Sequence, residues 1–278
     1  MRALFLGGDL RQKYACDFLL ENNIFSEYYS EFSLDDNMKK IIQSAQVLAL
    51  PVPISNNDMN LNFTNINLIH IISIIDKNCM VFGGKFPQKI KEYLLQEKNK
   101  YIDFMDLESF QMQNALLSAE GAIYYAKQRF DRSIYSAKIA ILGFGRIGKI
   151  LSYLLHSQGA KITVCARKDS DFVWGKLIGF DGFKIKISGN MSNLNLINNK
   201  YDIIFNTIPH WIMDENFAQS INGDTLIIDI ASKPYGINES FVEKYGLKYY
   251  RESGIPGRYA PKTAGEIIGK TILNHIYL

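Results

Sequence analysis

Short apolar runs that stop at glycine or proline, most of them followed by apolar positions at helical spacing, recur along this chain. The run Ala3 to Leu6 ends in Gly7-Gly8-Asp9, after which Tyr14, Phe18 and Leu19 repeat as on one helix face, predicting strand, glycine turn and helix. Val47 to Leu50, stopped by Pro51, and Met80 to Phe82, stopped by Gly83-Gly84, predict two more strands, and a helical pattern follows Pro87. Between about Asn56 and Asn67 the chain is polar and rich in asparagine, which predicts a solvated loop with no assigned role. Leu107 to Arg132 holds no proline and carries Ala115, Ala119, Ala122 and Ala126 as a stripe of small residues, predicting one long helix that connects two domains. Its polar members Asn114, Ser118 and Glu120 are candidates to line a cleft beside it, or simply to solvate the helix.

From Lys138 the alternation becomes regular. Strands are predicted at Ile139 to Leu142, Ile162 to Ala166, Phe183 to Ile187, Ile203 to Asn206 and Leu226 to Ile230, with a helix from Arg146 to about Ser157. The predicted fold class is therefore α/β in two domains. A Rossmann-like α/β domain covers residues 1–110, a connecting helix 111–135, and a doubly wound Rossmann dinucleotide-binding domain 136–278. Right-handed crossovers gather Gly143, Arg167, Asn206 to Pro209 and Asp229 to Lys233 along the carboxyl ends of the strands, where ligands of such sheets bind.

The strongest chemical signal is Gly143-Phe144-Gly145-Arg146-Ile147-Gly148, because it directly follows an apolar strand and opens a helix carrying Ile150, Leu151 and Leu154. Gly143 permits the tight turn, Gly145 leaves room for a pyrophosphate, Gly148 allows close helix–strand packing, and the helix N-terminus offers unpaired N–H groups. Thr207, Ile208, Pro209 and Ala231 complete the predicted cofactor rim. The second strand ends in Arg167-Lys168, where an enzyme selective for NAD usually has a carboxylate for the ribose. Two cations there favour the 2′-phosphate of NADP, with NAD as the alternative.

Composition narrows the field without adding chemistry. Apolar residues make up 47% and charged residues 21%, an ordinary globular balance. A net charge of +3, from 31 basic and 28 acidic residues spread along the chain, gives no concentrated field for nucleic acid or a membrane surface. Cys16, Cys79 and Cys165 are widely spaced, so neither a disulfide framework nor a metal site is expected, and a reducing cytoplasm suits them. No secretory or membrane-spanning run is expected either.

Several segments together resemble one family, the A subunit of dipicolinate synthase, which makes the pyridine dicarboxylate of bacterial endospores. They are Leu6 to Gln12, Asn114 to Ile123, the glycine fingerprint, Asp229 to Pro234, and Gly254-Ile-Pro-Gly-Arg-Tyr-Ala-Pro-Lys-Thr-Ala-Gly265, the last being the most specific. The resemblance implies oxidation of a dihydrodipicolinate, formed by dehydration of 4-hydroxy-tetrahydrodipicolinate, to aromatic dipicolinate with a nicotinamide as acceptor. It also implies a partner, the flavoprotein-like B subunit, together with a homo- or hetero-oligomer and the cytoplasm of a sporulating mother cell. Tyr235 stands where the family tends to have glycine after Ser-Lys-Pro, which leaves the shape of that loop open.

A flat diacid needs two separated anion contacts. Lys262-Thr263, just after Pro261 where a helix is predicted to start, are candidates for one carboxylate, and Arg11 for the other, with Arg258, Ser232 and Lys233 in reserve. Aromatisation also releases a proton, for which His210, Glu120 and Asp9 are candidate bases. His70, His156 and His275 lie in apolar or helical contexts and read as structural. Two other readings stay open: an NADP-dependent hydroxyacid dehydrogenase, which needs a histidine paired with a carboxylate, and a non-catalytic NADP-binding component of a two-protein enzyme.

Overall fold

The first apolar run is a strand buried on both faces: Leu4 and Leu6 enter one core cluster, Ala3 and Phe5 the other. A computed structural model of the chain describes residues 1–188, 191–197, 200–221 and 223–277. The chain divides into two compact units, one of residues up to Asn114 together with those from Pro256 onward, the other of Ala115–Ile255.

In the first unit, strands β1 (Arg2–Leu6), β2 (Phe25–Tyr29), β3 (Val47–Ala49), β4 (Met80–Gly83) and β5 (Tyr101–Asp103) form a parallel sheet in the order β2-β1-β3-β4-β5. Helices α1 (Leu10–Glu21), α2 (Asp36–Gln43), α3 (Leu68–Ile72) and α4 (Gln88–Gln96) connect them. The strand order reverses between β1 and β3, the switch point where such sheets leave a ligand crevice. The asparagine-rich segment is not merely solvated. Leu61 within it is fully buried, Asn62 is buried, the Asn62 amide donates to Pro53 O at 3.1 Å, and Gly8 N donates to Asn62 O at 3.4 Å. It therefore packs on the Gly7-Gly8 turn, where a Cβ at Gly7 would fall 2.9 Å from Leu61.

Helix α5 (Glu108–Lys127) carries the chain from the first unit into the second. It is shorter at its end than predicted, and its four stripe alanines are all buried. The second unit contains β6 (Lys138–Leu142), α6 (Arg146–Ser157), β7 (Lys161–Ala166), α7 (Asp169–Leu177), β8 (Asp181–Lys184), a small antiparallel ribbon β9 (Ile187–Ser188) and β10 (Met191–Ser192), then β11 (Ile203–Asn206), α8 (Glu215–Ser220), β12 (Leu226–Asp229), α9 (Glu239–Tyr245) and β13 (Tyr249–Arg251). The six-stranded sheet is parallel in the order β13-β12-β11-β6-β7-β8, the doubly wound arrangement expected, with its switch point between β6 and β11.

The chain then returns. Helices α10 (Ile255–Tyr259) and α11 (Pro261–Ile276) follow, and α11 belongs to the first unit, whereas the sequence places residues 256–278 in the second domain. The cause is close packing against α1. A Cβ at Gly265 would fall 2.6 Å from Arg11 O, and one at Gly269 would fall 2.7 Å from the Phe18 ring, so glycine lets the two helices touch. Ile268 and Ile272 join Phe5, Ala15, Leu19, Phe82 and Phe104 in one core.

Candidate functional site

Both units begin with strand, glycine turn and helix, and the two turns differ at the position that caps the helix. In the second unit Gly145 caps α6 without a side-chain cap hydrogen bond, and a Cβ at Gly145 would meet nothing within 4 Å. Gly143 has φ +97 and a Cβ there would strike Thr207 Oγ1, while one at Gly148 would collide with Gly143 O. The fingerprint glycines thus keep an open approach to an uncapped helix N-terminus, which fits a pyrophosphate. In the first unit Asp9 caps α1, accepting from Arg11 N at 3.0 Å, so a carboxylate already occupies the place a phosphate would take.

Two loops at the carboxyl edge of the second sheet are tied together by buried polar side chains that the sequence places on this rim without a role of their own. Asp229, fully buried, accepts from Asn206 Nδ2 at 2.9 Å, Ala231 N at 3.0 Å, Gly236 N at 2.7 Å and Tyr249 Oη at 2.7 Å. Asn206 in turn accepts from Ile208 N at 3.1 Å and donates to Ile208 O at 3.1 Å. Trp211 Nε1 donates to Pro234 O at 2.9 Å across the same two loops. Burial and then Asp229 push the Tyr249 hydroxyl well above its usual pKa, so it stays a proton donor to the carboxylate. This hub sets Thr207, Ile208, Pro209 and His210 on one loop and Ala231, Ser232 and Lys233 on the other, all on the edge that carries Gly143. Tyr235 adopts φ 72 and lies under the Arg251 guanidinium at 3.8 Å from its ring centroid. A left-handed residue is kept there without glycine.

At the end of β7, Arg167 and Lys168 are exposed, and Asp169 beside them is paired with Lys184 at 2.6 Å. His210 and Ser232 are exposed, and Glu120 on α5 is half-buried. Among the described residues no histidine pairs with a carboxylate; His275 Nδ1 lies 2.8 Å from Thr271 O. Nor is there a metal-holding group of side chains among them. Burial pushes the thiols of Cys16, Cys79 and Cys165 up to about 12, which removes them as nucleophiles at neutral pH.

The first unit gathers Asp9, Arg11, Arg258, Lys262 and Thr263. Arg11 is a less open cation than the sequence suggests: Nε and Nη2 bond Asp9 at 2.8 and 2.9 Å, and Nη2 also donates to Val52 O at 2.9 Å. Both Asp9 oxygens are likewise occupied, which speaks against a role as free base. Gly257 explains part of the Gly-Ile-Pro-Gly motif, since a Cβ there would fall 2.8 Å from both Arg11 Nε and Asp9 Oδ2. Lys262 and Thr263 are exposed in the first turn of α11, which starts at Pro261 as predicted and has no side-chain cap. Beneath α1, Gln12 is buried with its Oε1 unpartnered.

Residues 2–105 match the family described as the N-terminal domain of the dipicolinate synthase A subunit. The A subunit of dipicolinate synthase from Bacillus subtilis (strain 168) is 29% identical over 196 residues, an alignment spanning 70% of this chain and 64% of that protein's length. The crystal structure of the dipicolinate synthase A chain from Bacillus subtilis matches with a TM-score of 0.82 and 26% identity, covering 100% of this chain and 96% of that one. D-lactate dehydrogenase from Escherichia coli shares the fold, with a TM-score of 0.67 at 11% identity over 99% of this chain and 96% of that one. No helix among the described residues is long and apolar enough to cross a membrane.

Proposed function

We propose that this chain, which resembles the dipicolinate synthase A subunit over residues 2–105 and in its fold, belongs to that family and is an NADP-dependent oxidoreductase that converts a dihydrodipicolinate to dipicolinate. The observation that carries the cofactor half of this reading is the open, uncapped turn at Gly145, set against the Asp9-capped turn of the first unit. Residues Gly143 to Gly148 would hold the pyrophosphate, Arg167 and Lys168 the 2′-phosphate, and Thr207 to Pro209 with Ala231 the remainder of the dinucleotide. When bound, a nicotinamide supplies a hydride acceptor.

Oxidation of the ring removes one hydride, taken by the cofactor, and one proton, taken by a base or water, and aromaticity drives the step. The protein's task is then alignment of a flat diacid and exclusion of side reactions. Lys262, Thr263 and the free N–H groups of α11 supply contacts for one carboxylate, and Arg11 through its remaining Nη1 supplies a weaker one. Arg258 and Ser232 remain further candidates for the substrate. His210 and Glu120 are the candidate proton acceptors. The proposed partner is a flavoprotein-like B subunit, which would supply the dehydrated substrate.

The test incubates the purified chain, alone and with that partner, with 4-hydroxy-tetrahydrodipicolinate and either NADP or NAD, following pyridine absorbance and reduced nicotinamide together. Equimolar formation of both is expected; pyridine product without cofactor reduction overturns the reading. Arg167→Ala should weaken NADP relative to NAD by roughly 10- to 100-fold, the loss of a charge-assisted contact of about 1.5–3 kcal/mol. An unchanged preference refutes the assignment of Arg167.

A further inference from the structure

We infer that Lys85, at the carboxyl end of β4, is the contact for a second carboxylate of the ligand, and so sets the preference for a diacid over a monoacid. The inference rests on the proposed diacid substrate. Lys85 has φ +59 and is exposed, directly after Gly83-Gly84. A side chain in this left-handed region is strained, and a third glycine would remove that strain. The surroundings hold the strained backbone instead: buried Asp103 accepts from Lys85 N at 2.8 Å, Phe86 N at 3.0 Å and Met105 N at 2.9 Å, and pairs with Lys91 at 3.1 Å. A lysine standing where glycine would be easier, on a backbone fixed by a buried carboxylate, points to a use for the ammonium group.

The place fits that use. Strand β3 lies between β1 and β4, so the ends of β1 and β4 stand about 10 Å apart at the switch-point edge. The intervening loops are stitched into one surface: Gly84 N donates to Pro51 O at 3.1 Å, Ile54 N to Gly84 O at 2.8 Å, and Arg11 Nη2 to Val52 O at 2.9 Å. A Cβ at Gly84 would collide with the Val52 side chain, so the backbone before Lys85 sits directly against the loop that Arg11 grips. Arg11 has two nitrogens committed to Asp9 and Val52. The carboxylate that Arg11 meets only through Nη1 therefore calls for a second cation at this edge, and Lys85 at the end of β4 supplies it.

The test compares binding of pyridine-2,6-dicarboxylate and pyridine-2-carboxylate to the full chain by calorimetry, in the presence of NADP. Wild type should prefer the diacid by roughly tenfold or more, the worth of one charge-assisted contact. Lys85→Gly, which suits the backbone, should fold normally, keep its NADP affinity and lose most of its preference for the diacid. Lys85→Arg should restore part of the preference, and Lys89→Ala, an exposed lysine on α4, should leave it intact. A Lys85→Gly protein that keeps the wild-type preference overturns this inference and leaves the proposed function standing. Wild type that does not distinguish the acids overturns the diacid reading and this inference together.

Discussion

Gly145 and Asp9 cap the first helices of two similar turns, and one side chain separates what the turns can bind. Gly145→Asp tests this at a single residue. Its Cβ enters open space and aspartate is a favourable cap, so the variant should be as stable as wild type or more stable by a few tenths of a kcal/mol. It should nonetheless lose NADP binding by at least tenfold in fluorescence titration, because the new carboxylate sits where the pyrophosphate belongs. Retained affinity would remove this turn from the cofactor site. At this scale the fingerprint glycines and the helix start at Pro261 were legible, because those residue types carry a backbone requirement in themselves. Asp229 and Asn206 stood in plain view but were indistinct, since a buried carboxylate is recognised by the four donors that surround it, and those come from residues 206 to 249. The pairing of Asp9 with Arg11 was equally indistinct: neighbours two apart, they bond each other, which only the folded geometry shows.

Among the elements, the strands found from the sequence are mostly buried along their length, the exception being the exposed edge strand β8, which was expected at Phe183 to Ile187 and lies at Asp181–Lys184. Strands β2, β5 and β13 escaped, being short edge strands with sequences such as Phe-Ser-Glu-Tyr-Tyr that alternate weakly and stay partly exposed. Asp103 shows how such an edge is fixed, closing β5 while its carboxylate gathers the β4 loop and the 3-10 turn Phe104–Asp106. Burial pushes this carboxyl up, but the backbone donors of Phe86, Met105 and Lys85, with Lys91, outweigh it and the folded pKa lies below the ordinary value. Its contribution to stability is therefore present above the unfolded pKa of about 3.9 and is lost as pH falls through the lower folded value. Asp103→Asn should cost roughly 1–3 kcal/mol at pH 7, and the gap from wild type should shrink at pH 2 to 3 in urea titrations. A gap that is constant with pH would show that the carboxylate's charge is not what matters.

For the whole molecule, fold class and the two-domain plan followed from the order of strands and helices, but the closing helix did not. Its clue was present as Ala264, Gly265 and Gly269, small residues at helical spacing that match Tyr14 and Phe18 on α1, yet only packing reveals which helix such a stripe meets. Residues 2–114 alone should therefore lack a face of their core, since Ile268 and Ile272 would be missing. That fragment is expected to show a poorly dispersed NMR spectrum, and joining residues 256–277 to it by a flexible linker should restore a folded one. A well-dispersed spectrum for residues 2–114 by themselves would show that α11 is dispensable.

The return of α11 to the first unit also bears on how the protein is made. Residues 115 to 255 are contiguous and can complete their own core as soon as they leave the ribosome, whereas the unit that begins the chain lacks its last helix until translation has passed residue 276. The part synthesised first is thus finished last. Meanwhile the apolar face of α1 and the sheet behind it waits uncovered through most of synthesis, and is the surface on which a chaperone would act.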